Sequence, residues 1–315
     1  MIMKPLLAKV EVLLYHRVIK LFTLMEVVKM ANLKKPNGKS NMDEVAKAIE
    51  AAEADNVRTL EGDIEVGEDG CVHDIPLLAG YVDDDGVLQS TFSYREMTGR
   101  DEEAINRGDV RANGAKVVNI ICERCVTEIG TLKKKEVGAT KWGQIIRSML
   151  GGDLDYMSFK IRELSKGKEI EFTHKCPDCG TKLKTIVNTD EFGIKPFLGQ
   201  SVIDFTLQRG YADGKGQIYK EGHLRLPNGF DREIVVPQFK KNYSTATSLL
   251  LSRLISFDGG AVVSQKNVTE MSLRDRGILE DLLKENTFGL DTEVEIYCDT
   301  CGADLSGDVG QSNFF

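Results

Sequence analysis

No apolar run in this chain is long enough to cross a membrane. Residues 6–14 and 18–28 come closest, but Lys9, Glu11, His16, Arg17 and Lys20 interrupt them short of the roughly 20 residues a spanning helix needs. Cysteine is sparse and odd in number, seven in 315 residues, which excludes a disulfide scaffold and points to metal-bound or buried thiols in a reducing compartment. Histidine is scarcer still, with only His16, His73, His174 and His223. There is no Walker loop, no glycine-rich dinucleotide turn and no His-Glu-x-x-His, so the residues assemble no catalytic constellation and no enzyme is expected. Positive charge is also short. A net charge of −8 argues against a nucleic-acid binder that relies on a broad basic surface. What is present, 41% hydrophobic and 29% charged residues, describes an ordinary folded protein long enough for two domains.

Two stretches stand out: Lys175-Cys176-Pro177-Asp178-Cys179-Gly180 and Tyr297-Cys298-Asp299-Thr300-Cys301-Gly302. Each is Cys-x-x-Cys-Gly with a Leu three places beyond the Gly, and the two are 122 residues apart (298 − 176 = 301 − 179). A strand that turns back through this motif is a zinc knuckle, its two thiolates converging on one metal face and its glycine permitting the tight turn behind them. A knuckle supplies two ligands and structural zinc takes four. The pair therefore predicts one shared zinc held by Cys176, Cys179, Cys298 and Cys301. A thioredoxin-type pair would open a helix that lowers the thiol pKa. Here Thr181 to Val187 alternates like a strand, so a redox role is not expected.

Along the chain, residues 1–29 are expected to be translated leader ahead of a start at Met30. Met25-Glu26-Val27 can be encoded as AUG-GAG-GUN, which carries a ribosome-binding signal just upstream. Residues 30–85 form an N-terminal region: a polar arm over 34–41, a short amphipathic helix over 41–52 and a loosely patterned stretch over 57–80. A first module spans 86–195. Its pattern predicts a strand over 87–97, helices over 98–103, 115–129, 140–150 and 153–164, and strands over 169–175 and 183–187 flanking the first knuckle. A second module spans 196–315, with strands over 201–209, 217–226 and 231–236, helices over 244–257 and 272–286, and a strand over 292–297 entering the second knuckle. Asp213-Gly214 and Asn228-Gly229 read as hairpin turns. The order repeats, so the expected fold class is α+β, an internally duplicated module of strands, helices and a Cys-x-x-Cys knuckle.

The repeat also bears on a competing site. Cys122 and Cys125 form a further Cys-x-x-Cys pair that would complete a site with Cys176 and Cys179. Aligning Gly130 with Gly259 sets Leu251 and Leu254 opposite them and Arg253 opposite Arg124, which favours core packing. His174, two residues before Cys176, reads as a strand side chain, the Cys71–His73 pair as incidental, and Asp83-Asp84-Asp85-Gly86 as an acidic turn without the distal Glu of a calcium loop.

Three stretches carry a resemblance: Tyr94-Arg-Glu-Met-Thr-Gly-Arg-Asp-Glu-Glu, then Asp155-Tyr-Met-Ser-Phe-Lys-Ile-Arg-Glu-Leu-Ser-Lys-Gly, then Cys176-Pro-Asp-Cys-Gly. Together they resemble one module of the baseplate protein family of T-even-type tailed phages. Leu226-Pro-Asn-Gly, Leu273-Arg-Asp-Arg and Cys298-Asp-Thr-Cys-Gly resemble it a second time, although this second knuckle lacks the Pro. The resemblance implies a structural or assembly component of the virion tail baseplate, assembled in the host cytoplasm. It would bind other baseplate and tail proteins, with no membrane, nucleic acid or small-molecule substrate among its partners. Phe314 and Phe315 would be available for such docking. The alternative is a zinc-ribbon nucleic-acid or transcription module, which the acidic balance and the want of a basic-aromatic stripe oppose.

Overall fold

The computed structural model describes residues 65–294, 296–305 and 307–308. The leader, the arm and the helix over 41–52, like Phe314 and Phe315, lie outside the described residues.

The N-terminal half opens with β1 (Cys71–Val82), which turns through Asp83–Gly86 into the antiparallel β2 (Leu88–Arg95). Asp83 shapes the turn, its Oδ1 accepting from the Asp85 and Val87 amides at 3.0 and 2.8 Å. Then follow α1 (Gly99–Ile105), α2 (Gly108–Arg111), α3 (Gly114–Cys125), β3 (Val126–Ile129), β4 (Leu132–Lys133), α4 (Lys134–Val137), α5 (Ala139–Ser148) and α6 (Gly151–Lys166). The first four strands make one sheet in the order β1-β2-β3-β4. Phe92 and Tyr94 of β2 are buried with Ile121 of α3, Trp142 and Ile146 of α5 and Met157 of α6. On α3 the inward stripe is Val118, Ile121, Cys122 and Cys125, the spacing of a helix with one buried face. The hairpin β5 (Glu169–Lys175) and β6 (Lys182–Asn188) comes next, then β7 (Gly193–Lys195).

The C-terminal half runs β8 (Val202–Ala212), β9 (Ile218–Arg225), α7 (Gly229–Phe239), α8 (Tyr243–Leu254), β10 (Ile255–Phe257), α9 (Gln265–Thr269), α10 (Leu273–Glu285), β11 (Gly289–Asp291), β12 (Glu293–Val294) and β13 (Gly307–Asp308). Its sheet has the order β10-β9-β8, over a core of Phe205, Tyr211, Leu251, Leu254, Phe257 and Leu279. The chain is α+β.

The same polar contacts occur in both halves. Asp101, at the third position of α1, is held by Arg95 Nη1 at 2.7 Å and Arg124 Nε at 2.7 Å. Asp231, at the third position of α7, is held by Arg225 Nη1 at 2.6 Å and Arg253 Nε at 2.9 Å. Burial opposes ionisation of both carboxyls, but the arginines and the capping amides outweigh it and hold each below the ordinary carboxylate range. Likewise Asp153 of α6 accepts from the amides of Leu78, Ala79 and Gly80, and Asp275 of α10 from those of Gln208, Arg209 and Gly210. Each of these carboxylates pins an irregular stretch of an outer strand to the start of a helix. Burial pushes Asp153 up to about 6 against the pull of its three amides.

The two halves meet through a two-bond bridge. Gly151 N–H donates to the Pro227 carbonyl at 3.0 Å, and Gly229 N–H to the Met149 carbonyl at 3.2 Å. Glu233 accepts beside it from Asn119 and Arg147, and Arg232 pairs with Asp155 at 2.7 Å. Nearby, α6 and β11 cross backbone to backbone: a Cβ on Gly152 would meet Phe288 at 2.6 Å, and one on Gly289 would meet Gly152 Cα at 2.9 Å.

Several elements differ from the sequence expectation. Residues 231–236 are helical within α7, because Asn228 and Asp231 form a capping box at its start; Asn228-Gly229 begins a helix and does not close a hairpin. The helices expected over 115–129 and 244–257 stop at Cys125 and Leu254, where Val126 and Ile255 turn extended and join the sheets as β3 and β10. β1 falls partly in the stretch read as loosely patterned. Register breaks between Val72 and Ile75 and between Pro76 and Tyr81 scramble its alternation, and Asp74 has a positive φ. The strand expected over 292–297 is reduced to β12 and a single bridge between Tyr297 and Asp304.

Asp231→Ala leaves two arginines facing a buried void. It is expected to cost about 2–4 kcal/mol in chemical denaturation, somewhat below a fully buried pair because both arginines reach solvent. The acid limb of stability has the matching sign. With folded pKa values below the unfolded ones, Asp101 and Asp231 contribute fully above the ordinary carboxylate pKa of about 4, and the contribution is lost as pH falls through the folded values. The denaturation midpoint of Asp231→Ala should therefore converge on that of the parent as pH is lowered.

Candidate metal centre

Both knuckles have the same backbone. Gly180 N–H donates to the Cys176 carbonyl at 3.0 Å and Cys176 N–H to the Thr181 carbonyl at 2.9 Å. In the second knuckle Gly302 N–H donates to the Cys298 carbonyl at 2.7 Å and Cys298 N–H to the Ala303 carbonyl at 2.9 Å. Gly180 and Gly302 sit at φ 73° and 71°, a left-handed conformation that a side chain would strain.

The first knuckle is the tip of the β5–β6 hairpin; the second lies between β12 and β13. A small apolar cluster brings them together. Ile170 and Val187 from the hairpin pack with Val294 from β12 on Phe159 of α6 and on Phe192. Pairing of β11 with β7, Gly289 opposite Lys195, ties the approach to the second knuckle to the exit from the first.

The four cysteine sulfurs, from Cys176, Cys179, Cys298 and Cys301, all lie within 4.8 Å of one another. Two cross-knuckle pairs, Cys176–Cys301 and Cys179–Cys298, are 3.7 Å apart. A tetrahedral metal bonded to four thiolates at about 2.3 Å holds its sulfurs about 3.8 Å apart, so the spacing fits a four-coordinate thiophilic ion. Cys176 and Cys298 are buried while Cys179 and Cys301 face solvent. The thiols are unequal. The Thr181 hydroxyl, 3.2 Å from Cys179 Sγ, holds that thiol down to about 6. Cys301 is pushed up to about 12 by the neighbouring sulfurs, even though the Ala303 amide favours its thiolate. Four thiols this close cannot all ionise without a cation among them, and the donor set has the chemistry of a metal site.

Among the described residues, the other cysteines and histidines stand apart from this cluster. Cys122 and Cys125 are fully buried in the N-terminal core among Ile121, Val126 and Trp142, and burial pushes both thiols up. Leu251 and Leu254 hold the matching places in the C-terminal core. Cys71 is half-buried, and His73 Nε2 lies 3.1 Å from Asp69. His174 is half-buried on β5 opposite Leu183. Sequence reasoning did not single out Thr181, the hydroxyl beside Cys179. Nor did it find the four caging aspartates, although Arg95 and Asp101 recur as Arg225 and Asp231 at one offset (225 − 95 = 231 − 101 = 130).

These features define an α+β protein with a four-cysteine cluster to which both knuckles contribute, a donor set that could hold a metal ion. Residues 84–309, more than two thirds of the chain, match the family described as T4 bacteriophage base plate protein, and the chain belongs to that family. No curated protein and no solved structure matches it significantly. No helix among the described residues is long and apolar enough to cross a membrane.

Replacing Cys122 and Cys125 together by Ala should leave bound metal per chain unchanged in elemental analysis. Stability should fall by about 1–3 kcal/mol, as two small buried side chains are trimmed from a packed core.

Proposed function

We propose that this chain is a structural or assembly component of a contractile phage tail baseplate, without catalytic activity, that docks other baseplate and tail proteins as one rigid body. The single observation that carries the reading is the family match across residues 84–309, within which both halves of the four-sulfur cluster fall. The ion is one structural zinc held by Cys176, Cys179, Cys298 and Cys301. Four convergent thiolates suit zinc over the harder divalent ions, and such sites are closed, with no position left for a substrate.

The body is built as a module used twice, over 86–195 and 196–315, with β1, the counterpart of β8, standing ahead of the first. Supporting this are the matched Asp–Arg clamps, the matched Asp83 and Asp213 turns, the matched carboxylate cradles and the matched knuckles. Closing the zinc site joins segments 122 residues apart. Loop entropy rises only logarithmically with length, whereas structural zinc contributes on the order of 10 kcal/mol, so the clamp is favourable. Its role is mechanical: it fixes two hairpin tips that have too little core of their own.

Native mass spectrometry of the purified chain should show one zinc, lost in Cys298→Ala. Two zincs per chain, or retention in that variant, would reject the shared site. In a phage, Cys176→Ser with Cys179→Ser should yield unassembled or defective tails while transcription and replication proceed. Normal tails with impaired late transcription would reject the baseplate role in favour of nucleic-acid binding.

A further inference from the structure

The bridge that joins the two halves uses one face of each, and each half also carries the face that it does not use there. Pro227-Asn228-Gly229 corresponds, 130 residues earlier, to Met97-Thr98-Gly99. Met149-Leu150-Gly151 corresponds, 122 residues later, to Met271-Ser272-Leu273. In the bridge the Pro227 and Met149 carbonyls and the Gly229 and Gly151 N–H groups are satisfied. The corresponding Met97 and Met271 carbonyls and the Gly99 and Leu273 N–H groups have no hydrogen-bond partner among the described residues. Thr98 and Gly99 are exposed, and Leu273 is 84% exposed, more than any other large apolar side chain described.

We propose that copies of this chain associate head to tail, the Met97–Gly99 end of one copy docking on the Met271–Leu273 end of the next through the bridge that already joins the halves of each chain. The proposal rests on the twice-used module described above. The occupant is a second copy, because the chain itself holds both complementary ends and its internal bridge shows that they fit.

The side chains at the two free ends are matched as well. At the internal bridge Gly151 lies beneath Arg232, and a Cβ there would come within 3.0 Å of that arginine. At the free ends the bulk changes sides: Leu273 replaces Gly151, and the shorter Glu102 of the second copy replaces Arg232. Glu103 of the second copy would take the place of Glu233, over Ser248 in place of Asn119. Beside that place lies Arg276, only 8% exposed, its Nη2 3.4 Å from the Ser244 carbonyl and 3.8 Å from Glu280 Oε1, and its Nε without a partner. With only the long contact to Glu280 and one donor unused, this guanidinium favours a nearer carboxylate, and Glu103 supplies one. Such a contact is heterologous, so it propagates into a ring or a filament and does not stop at a two-fold dimer.

Sedimentation velocity of the full chain over a dilution series tests this. Leu273→Arg blocks one end. Gly99→Leu blocks the other, and its side chain meets nothing within the chain, since an added Cβ has no atom within 4 Å. The wild type is expected to gain mass with concentration and each variant to remain a monomer. An equimolar mixture of the two variants should form a dimer and nothing larger, because one intact end of each survives. Glu103→Arg, at an exposed position, gives an independent block if either variant loses zinc or far-ultraviolet dichroism. A wild type that stays monomeric, association that the blocks do not reduce, or a mixture that fails to pair would each overturn the docking. Those results would leave the module reading intact, because it rests on contacts within the chain. That reading would itself fail if removing Asp101 and removing Asp231 had unlike effects on stability.

Discussion

A carboxylate can be sealed beneath a helix only when its lone pairs meet donors that cost less to bury with it than to leave in water. Both halves of this protein use that constraint as their joint. Asp101 and Asp231 each take two guanidinium groups and the first free amide of a helix, so one side chain fixes a hairpin, the helix after it and the end of a third element. The Arg95 and Arg225 side chains also reach the carbonyls of Arg124 and Arg253, satisfying the last turns of α3 and α8. Asp153 does comparable work with amides alone, and Asp275 with amides and the Ser272 side chain, holding the irregular part of β1 and of β8. The apolar cores fill the space these four carboxylates define.

The sequence made some of this plain and hid the rest, for physical reasons. The knuckles were legible because metal chemistry constrains spacing, residue type and the following glycine at once, and the structure brings their four sulfurs together. The correspondence of Cys122 and Cys125 with Leu251 and Leu254 was legible because a buried helix stripe tolerates only apolar volume. By contrast, residues 231–236 look like a strand by composition, and only the capping box, a contact between two side chains and the backbone, makes them helical. β1 escaped because its strand character depends on pairing with β2 through two register breaks, which leaves no period-2 pattern to read. The ends of α3 and α8 were misplaced for a related reason, since joining a sheet edge is decided by the neighbour and not by the segment.

The four-cysteine cluster stands where the fold is thinnest. Around it are a two-stranded hairpin, strands of two or three residues and a satellite core of a few side chains, with two of the four sulfurs open to solvent. Segments this short do not bury enough apolar surface to hold each other. A metal held by these four cysteines would put its bonds where the packing is weakest, whereas the larger cores are held by apolar burial.

The crossing of α6 over β11 has a different consequence. At Gly152 and Gly289 the two backbones approach directly, with the Phe288 ring and carbonyl packed against Gly152. Elsewhere in the protein a lost methyl group on one surface can be made good by a larger neighbour on the other, and sequence drift proceeds by such exchanges. At this crossing the glycines leave no methyl to trade, and any side chain on Gly152 would have to displace the Phe288 ring. The separation of the two segments is therefore held at close to main-chain contact, and either glycine can change only if the crossing opens.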